Sequence, residues 1–310
     1  MKTHILKPPS SALSATLAGL RFLIGVDGGG TGTRLRLADI EGRLLGQGAA
    51  GPSALGQGSE QAWRHIGQAL QQAAQNAGIE TPAPQQCAIG LGLSGAGIPK
   101  GAQSFLASNP GYAVLALDND GWTTVLGAHG GKPGAVVAAG TGTVGEVLRA
   151  DGSRACLSGW GWITGDEGSG AWLGLRAVRH SQAALDGRVP GGTLSANVLD
   201  VIGREREVIN AWNVSAGQAG YAALARTVFD CEASDPVAAA LIHEALAELE
   251  KLADALDPQG RLPLALTGSI ALRLAPKFSP ALRARCVPAQ GDSAEGGLHL
   301  ARSALALVAA

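Results

Sequence analysis

The sequence predicts an α/β protein made of two related halves, each with a mixed sheet flanked by helices. Three strand-like segments, residues 22–26, 34–40 and 43–47, follow one another before helices and strands begin to alternate. A strand, a loop of glycine and threonine and a second strand then occur twice, near residues 28 and 141. This repeat indicates two half-molecules of similar design, for which a chain of 310 residues is sufficient.

The elements of the first half follow from hydrophobic spacing. Ser59 is predicted to cap a helix whose apolar residues keep a helical period until Gly78 ends it. Strands are expected at residues 87–91 and 112–117, and a further helix over residues 122–128. Added to the first three strands, these elements give a mixed sheet with helices on its faces.

The second half begins with predicted strands at residues 135–139 and 144–149, and the turn signal at 151–152 predicts a hairpin after them. Most of the following segment is predicted to be helical. Asp235 is the expected N-cap of a long helix. The last predicted elements are a strand at 262–266, a strand around 286–287 and a helix from Ser293.

Charge and composition exclude several classes of partner. The formal net charge is −1, there is no basic run and aromatic residues make up 4% of the chain, so no nucleic-acid surface is expected. No apolar run reaches the roughly eighteen residues of a membrane span, so no membrane partner is expected. The cysteines at positions 87, 156, 231 and 286 form no C-x-x-C pair. Free thiols in a reducing cytoplasm are therefore favoured over disulfides or a zinc site.

The first twenty residues are expected to be a loose extension. Pro8 and Pro9 interrupt them, and the apolar run at residues 22–26 serves as the first strand. A signal peptide is the less favoured alternative.

A glycine-rich loop directly follows the first predicted strand. Gly28, Gly29 and Gly30 tolerate positive φ and carry no Cβ, so that successive backbone N–H groups can approach phosphate oxygens. Thr31 and Thr33 add hydroxyl donors. The loop therefore suggests a phosphate site, and a tight glycine hairpin without a ligand is the alternative.

One carboxylate, Asp27, stands at the start of this loop. A carboxylate can face a phosphate only when a cation neutralises both anions, and the usual cation is a hydrated Mg²⁺. The segment therefore suggests a metal–nucleotide site.

The second glycine and threonine loop contains Gly140, Thr141 and Gly142. Two such loops facing each other across a cleft could hold the β- and γ-phosphates of a nucleotide from both sides, as phosphoryl transfer requires. Asp120, between a strand and a helix, is placed to accept the proton of a substrate hydroxyl. In the alternative interpretation, Asp120 or Asn119 only caps that helix.

A third cluster alternates glycine with tryptophan. Gly159, Trp160 and Gly161 are typical of a loop that lets a ligand approach the backbone, and Asp166 follows them. A carboxylate at this place can accept hydrogen bonds from vicinal sugar hydroxyls. In the alternative interpretation, Asp166 or Ser169 caps the next helix and the tryptophans of the loop fill the core.

Six short motifs follow one another along the chain in an order that is typical of one protein family. They are Val26-Asp27-Gly28-Gly29-Gly30-Thr31, Leu93-Ser94-Gly95-Ala96-Gly97, Asn119-Asp120, Ala139-Gly140-Thr141-Gly142, Gly165-Asp166-Glu167-Gly168-Ser169 and Thr267-Gly268-Ser269. Together they resemble the BadF/BadG/BcrA/BcrD ATPase family, and within it most of all the N-acetylglucosamine kinases and bacterial glucosamine kinases. Each motif is common, but the ordered set is specific and spans roughly residues 22–300.

The resemblance implies an actin-like ATPase fold with two ribonuclease-H-like domains, mixed sheets flanked by helices and an interdomain nucleotide cleft. The implied domains are residues 21–132 and 133–310 after an extension over residues 1–20, with the terminal helix able to pack back on the first domain. A cytoplasmic homodimer is the implied state.

The resemblance also implies the cofactors and the site. ATP would be held by the two phosphate loops and Gly268, and Mg²⁺ would lie near Asp27. Asp120 would be the general base for the 6-hydroxyl of an amino sugar, with Asp118 as its near competitor. The amino sugar would be bound by Asp120, Gly159, Trp160, Gly161 and Asp166.

One position departs from the family pattern. Where the family often has an asparagine that contacts the sugar, this chain has Ala54, which cannot hydrogen-bond a hydroxyl. Either Ser53 substitutes for it or the sugar preference differs. This departure leaves the identity of the sugar open and does not affect the phosphate-binding residues. The expected activity is phosphorylation of the 6-hydroxyl of N-acetylglucosamine or glucosamine.

Three rival interpretations account for less of the sequence. Residues 90–95 match G-x-G-x-x-G, as in an NAD-dependent oxidoreductase, but Asp118 lies farther along than the usual distance and both phosphate loops stay unexplained. A P-loop NTPase needs G-x-x-x-x-G-K-[ST], which does not occur. An actin-fold ATPase or activator without a sugar substrate explains the loops, but it needs neither Asp120 nor the loop at 159–166.

Overall fold

The computed structural model describes residues 3–9, 11 and 13–309. The chain divides into two compact units, Met1–Pro133 with Pro288–Ala310, and Gly134–Val287. Each unit contains one mixed sheet flanked by helices, which confirms the predicted fold class. No helix in this described part of the chain combines the length and the apolar character that a membrane span requires.

The first unit is built on a six-stranded sheet. Its elements are β1 (His4–Leu6), α1 (Leu13–Gly19), β2 (Phe22–Gly28), β3 (Thr33–Asp39), β4 (Leu44–Ala50), α2 (Ser59–Ala77), β5 (Cys87–Leu93), α3 (Pro99–Ala107), β6 (Val114–Asp118), α4 (Asp120–Ala128) and the C-terminal helix (Ser293–Ala309). The strand order is β1-β6-β5-β2-β3-β4. Strands β2, β5 and β6 are parallel, and β3, β4 and β1 pair antiparallel with their neighbours.

The N-terminal segment is part of this sheet. His4, Ile5 and Leu6 pair antiparallel with β6, so these residues form an edge strand where a loose extension was expected. A strand of three residues is too short to produce a hydrophobic period in the sequence. It covers backbone groups of β6 that would otherwise form an open sheet edge.

Glycines allow the C-terminal helix to lie very close to the sheet. A Cβ on Gly25 would come within 2.1 Å of the Ala294 carbonyl oxygen, and a Cβ on Gly90 within 2.1 Å of the Gly297 carbonyl oxygen. A Cβ on Gly92 would collide with the side chain of Thr123 on α4. The glycines at 90 and 92 are therefore needed for packing, which explains the G-x-G-x-x-G match without a dinucleotide.

The boundaries of α2 show one difference from the sequence prediction. The N-cap is Gly58, with φ of 110°, and Ser59 is the first helical residue. The Ser59 hydroxyl donates to Ser104 Oγ at 3.2 Å. The predicted end is confirmed, because Gly78 adopts the left-handed conformation with φ of 69°.

The second unit is built on a four-stranded sheet. Its elements are β7 (Gly134–Ala139), β8 (Thr143–Leu148), β9 (Arg154–Ser158), α5 (Gly170–Leu185), α6 (Thr193–Ile202), α7 (Arg206–Ser215), α8 (Gly217–Ala223), α9 (Ala225–Asp230), α10 (Pro236–Leu256), β10 (Leu264–Thr267), α11 (Ser269–Leu274) and α12 (Pro280–Arg285). The strand order is β10-β7-β8-β9, with β10 parallel to β7 and the other pairs antiparallel.

Two predictions for this unit have different outcomes. Asp235 caps α10, since its carboxylate accepts hydrogen bonds from the backbone N–H groups of Val237 at 2.9 Å and Ala238 at 3.3 Å. The predicted strand around residues 286–287 is only a single bridge between Cys286 and Leu264. The short apolar pair was not enough to indicate whether a full strand forms.

Candidate functional site

The loop between β2 and β3 presents its backbone to open space. The turn is closed by a hydrogen bond from the Gly29 N–H to the Gly32 carbonyl oxygen at 3.0 Å, and the Gly29 carbonyl oxygen accepts from the N–H groups of Ser53 and Ala54. A Cβ on Gly29 or Gly30 would have no heavy atom within 4 Å. This is the accessibility that a phosphate-binding backbone requires.

Gly28 and Thr33, in contrast, contact the protein itself. A Cβ on Gly28 would lie 2.1 Å from Ser53 Oγ, so glycine is needed there for packing. The Thr33 hydroxyl donates to the Gly51 carbonyl oxygen at 2.6 Å and lies 2.7 Å from Ser53 Oγ. None of residues 28–30 has positive φ, so the glycines contribute through their missing Cβ and not through a left-handed backbone.

Ser53 is buried together with these groups. It has no exposed surface, and its hydroxyl is held beside Thr33. In this conformation Ser53 does not present its hydroxyl to a ligand.

Asp27 is paired with an arginine that is not among the predicted site residues. Arg34 stands directly opposite Asp27 in the β2–β3 register. Its Nε and Nη2 atoms donate to Asp27 Oδ2 at 2.9 and 2.5 Å. The Arg34 side chain is 60% exposed and that of Asp27 is 17% exposed. Neighbouring positions on two strands make such a pair, but only the strand register reveals it.

Asp120 is the first residue of α4, and it does not cap the helix. The cap is Asn119, whose side-chain oxygen accepts from the Trp122 N–H at 2.5 Å. The Asp120 carboxylate has a short-range hydrogen bond from the Gly121 N–H at 3.1 Å. Burial and then the nearby negative charge of Asp27 raise the pKa of Asp120 above that of an ordinary aspartate.

The competitor Asp118 is engaged elsewhere. Its side chain is 4% exposed, and its carboxylate accepts from the Thr3 hydroxyl at 2.6 Å and from the Asn119 N–H at 2.8 Å. These contacts tie Asp118 to the N-terminal segment and to the turn before α4. They favour Asp120 as the carboxylate that faces a substrate.

The C-terminal helix supports the turn that carries Asp120. Ser293 Oγ lies 2.8 Å from Thr123 Oγ1 in a buried contact and donates to the Asp120 carbonyl oxygen at 3.4 Å. The two hydroxyl residues are 170 positions apart in sequence, so no local pattern could have indicated the contact.

The carboxylates of the first unit suit a hydrated magnesium ion better than a closed metal cage. Within residues 3–9, 11 and 13–309, no group of three or more histidine, cysteine, aspartate or glutamate side chains is arranged to hold a metal. Mg²⁺ commonly keeps several waters and binds through one or two carboxylates and the phosphates of a nucleotide. Asp27, with Asp120 close enough to feel its charge, fits that donor set.

The second phosphate loop is tied to the start of α5. The Gly140 N–H donates to the Gly142 carbonyl oxygen at 2.9 Å, and the carbonyl oxygens of Gly140 and Thr141 accept from the Gly170 and Ala171 N–H groups at 2.7 and 3.2 Å. This network fixes the loop at the end of β7.

Gly268 lies against the same strand end. Its φ is 87°, and a Cβ there would come within 2.3 Å of the Ala139 carbonyl oxygen. A Cβ on Gly140 would lie 3.8 Å from the Gly268 Cα. The structure therefore brings Gly268 and the loop at residues 140–142 together.

Asp166 is a buried carboxylate that joins the second phosphate loop to the glycine and tryptophan loop. It is 5% exposed and accepts from the Gly161 N–H at 3.3 Å and from Gln218 Nε2 at 3.1 Å. It also accepts a backbone hydrogen bond from Thr143, and burial is the main cause that raises its pKa. Its φ is +53°, a left-handed conformation that aspartate tolerates better than most residues. Gln218 carried no signal in the sequence.

The helix-cap alternative for Asp166 is wrong for its side chain. Ser169 is the N-cap of α5, and its hydroxyl accepts from the Trp172 N–H at 3.1 Å. The carboxylate of Asp166 instead accepts hydrogen bonds from Gly161, Gln218 and Thr143.

The two tryptophans of the third cluster have different environments. Trp160 is 83% exposed between Gly159 and Gly161, whose φ values are 73° and 94°. Trp162 packs on Tyr221 with ring centroids 5.0 Å apart. The core interpretation therefore holds for Trp162 and is wrong for Trp160, which offers an open aromatic face.

The two mixed sheets with their flanking helices have the fold of actin-like sugar kinases. The chain belongs to the BadF/BadG/BcrA/BcrD ATPase family, whose sequence profile matches residues 24–285.

Individual relatives are similar over almost their whole length. A solved structure named as a candidate N-acetylglucosamine kinase from Chromobacterium violaceum is 47% identical with a TM-score of 0.85, over 91% of this chain and 99% of that one. A glucosamine kinase from Vibrio cholerae is 31% identical over 283 residues, 91% of this chain and 96% of the relative. A candidate N-acetylglucosamine kinase from Porphyromonas gingivalis, 20% identical with a TM-score of 0.62 over 90% of this chain and 98% of that one, shares the fold.

Proposed function

We propose that this protein is an amino-sugar kinase that transfers the γ-phosphate of ATP to the 6-hydroxyl of N-acetylglucosamine or glucosamine. The broader class, a phosphotransferase with an alcohol acceptor, is the class of its relatives. The observation that carries the proposal is Asp120. Asn119 caps α4, and the partly buried Asp120 carboxylate accepts from neighbouring backbone N–H groups and lies near enough to Asp27 for that charge to raise its pKa.

Asp120 acts as the general base. As the sugar oxygen bonds to the γ-phosphorus, Asp120 accepts the hydroxyl proton, the bond from the γ-phosphorus to the β,γ-bridging oxygen breaks, and ADP leaves. The raised pKa makes the Asp120 carboxylate a stronger base than that of an ordinary aspartate.

The phosphates are positioned by backbone and charge. In the first unit Gly30 and Thr31 supply backbone N–H groups, and Thr31 adds a hydroxyl. Gly29 closes the turn through its own N–H, and Gly28 and Thr33 hold that loop in shape. Gly140, Thr141, Gly142 and Gly268 form the corresponding nucleotide surface in the second unit. Asp27 would hold Mg²⁺, which neutralises phosphate charge when it is bound.

The sugar is bound by the loop around Trp160. Gly159 and Gly161 allow a ligand close to the backbone, and the exposed Trp160 ring can cover an apolar face of the sugar. Asp166 supports this loop through the Gly161 N–H. Asp166 keeps acceptor capacity beside its three donors, but it is only 5% exposed in this conformation, so a sugar hydroxyl could reach it only after a local rearrangement.

The test is a panel of amino and neutral hexoses with ATP and Mg²⁺, scored by ADP release and by the mass of the product. We expect sugar-dependent release with N-acetylglucosamine or glucosamine and none with the 6-deoxy analogue of the active sugar. ADP release that is the same with and without sugar would favour an actin-fold ATPase and contradict the proposal. Phosphorylation of the 6-deoxy analogue would contradict the 6-hydroxyl as the acceptor.

A further inference from the structure

We infer that Arg34 is the internal counter-ion of Asp27 and that it competes with a divalent cation for the Asp27 Oδ2 atom. The inference rests on the proposed role of Asp27 as the carboxylate that holds Mg²⁺. It adds an exchange at that site, in which the side chain of Arg34 and the cation compete for the Oδ2 atom and for the negative charge of the carboxylate.

The strand register places the two groups together. Asp27 and Arg34 are direct partners in the antiparallel β2–β3 pair, so the guanidinium does not need a rare conformation of the loop to reach the carboxylate. Both Nε and Nη2 donate to Oδ2, at 2.9 and 2.5 Å. Two charged hydrogen bonds on one oxygen leave that oxygen unable to bind a cation until the arginine moves.

The arginine has a second carboxylate within reach. Asp292, just before the C-terminal helix, lies 3.9 Å from Arg34 Nη1. Asp292 is already bonded to Arg36 at 2.9 Å, and Arg36 lies 3.9 Å from Glu295. Arg34 can therefore leave Asp27 and keep an ionic partner, which lowers the cost of the exchange.

The exchange has an electrostatic consequence for the nucleotide. Without Arg34 or a cation, Asp27 would be an uncompensated charge at the mouth of a loop proposed to receive phosphates, and it would also repel Asp120. Arg34 therefore makes binding of metal-free ATP tolerable. In the presence of Mg²⁺ the cation takes over that task.

A second ion pair, between Asp39 at the end of β3 and Arg43 in the turn that follows, provides the control. Arg43 donates to Asp39 at 3.0 Å, with side chains 80% and 19% exposed, close to the exposure of Arg34 and Asp27. This pair lies at the β3–β4 turn, at the other end of strand β3 from the phosphate loop. If Arg34→Gln changes binding and Arg43→Gln does not, the effect belongs to the Arg34–Asp27 pair and is not a general result of losing a surface ion pair.

The first experiment needs neither nucleotide nor sugar. Mn²⁺ binding to the wild type, Arg34→Gln, Arg43→Gln and Asp27→Asn is measured by electron paramagnetic resonance of the free ion. Arg34→Gln should bind Mn²⁺ about three- to tenfold more tightly than the wild type, the range expected for releasing a partly exposed charged pair. Arg43→Gln should bind like the wild type, and Asp27→Asn should lose the site. Equal affinity in Arg34→Gln and the wild type, or no binding that depends on Asp27, overturns the inference.

The second experiment measures the Kd of ATP by calorimetry, once with EDTA and once with excess Mg²⁺. Arg34→Gln should weaken binding in EDTA about three- to tenfold and change it less than about twofold with Mg²⁺. Arg34→Lys keeps the charge, so its Kd for ATP in EDTA should lie between that of the wild type and that of Arg34→Gln. A loss of equal size in both conditions would mean that Arg34 binds phosphate directly, which contradicts the counter-ion role. Failure of the wild type to bind ATP would contradict the proposed function, and the Mn²⁺ titration would still decide the exchange.

Discussion

Replacing Asp166 with alanine tests how the second unit supports its binding loops. The change removes a buried acceptor from the Gly161 N–H, Gln218 Nε2 and the Thr143 backbone. Leaving such donors without a partner costs about 1–3 kcal/mol in the free energy of unfolding. Alanine at φ of +53° adds about 1 kcal/mol, because its Cβ is strained in the left-handed region.

A total of about 2–4 kcal/mol should lower Tm by roughly 5–10 °C, judged from the usual response of a domain of this size. The released Gly161 loop should also raise the KM for the sugar at least about tenfold, since a displacement of about 1 Å is costly in a positioned site. Thermal unfolding followed by circular dichroism and steady-state kinetics measure the two effects. Asp166→Asn, which tolerates the same φ and keeps one acceptor, should lie between alanine and the wild type.

Asp151→Ala is the matched control, because Asp151 is an exposed aspartate at the turn between β8 and β9. It should change Tm by less than about 1.5 °C and leave the sugar KM at the wild-type value. Wild-type Tm and wild-type KM in Asp166→Ala would refute the role given to this carboxylate. A raised KM at unchanged Tm would instead identify Asp166 as a direct sugar ligand without a supporting role.

Three further predictions follow from single contacts. Gly268→Ala should destabilise the protein by at least about 2 kcal/mol and weaken ATP binding, because the new Cβ would lie 2.3 Å from the Ala139 carbonyl oxygen and the backbone has a φ of 87°. Urea unfolding measures the loss, and wild-type stability would contradict the prediction. Burial alone would raise the pKa of Asp235, but hydrogen bonds from the N–H groups of Leu194, Ala238 and Val237 hold it below the ordinary value. The stability that the Asp235 carboxylate contributes is therefore fully present above about pH 3.9 and is lost as the pH falls through the folded pKa. Asp235→Asn should cost about 1–3 kcal/mol in the free energy of unfolding at pH 7 and progressively less toward pH 3. Unfolding at several pH values measures this, and a difference that does not change with pH would contradict it. For Asp120 the sign is opposite: its raised pKa should place the acid limb of kcat/KM above about pH 3.9, and a pH–rate profile with its midpoint at or below that value would contradict the assignment.

Local sequence patterns were sufficient where a feature depends on neighbouring residues. The three strands at residues 22–47, the cap at Asp235 and the end of α2 at Gly78 were all predicted within a few residues. Each depends on hydrophobic alternation or on the residue type at one position, and both can be identified from the sequence alone.

Features that depend on tertiary contacts could not be predicted in this way. The edge strand β1 is too short to show a period, and it exists because β6 offers an unpaired edge. The glycines at 90 and 92 resemble a dinucleotide motif in sequence, but they serve the approach of the C-terminal helix and α4. Only the fold reveals which partner makes a glycine necessary.

The candidate site divides along the same line. Motifs indicated the loops and Asp120, because glycine and threonine at strand ends are typical of phosphate binding and an aspartate there can accept a proton. The partners that adjust these groups, Arg34, Gln218 and Ser293, come from the strand register or from distant segments. Their roles follow from contacts that no single stretch of sequence contains.

The substitution Asp120→Asn tests the proposed function most directly, with kcat and the Kd of ATP measured on the same preparation. Asparagine keeps the shape of the side chain and leaves the Asn119 cap intact, so ATP binding should change less than about twofold and Tm should not fall. Loss of the general base should lower kcat by about 10²- to 10⁴-fold. Near-wild-type kcat with the amino sugar would contradict the role of Asp120 as the base, and with it the observation on which the kinase assignment rests.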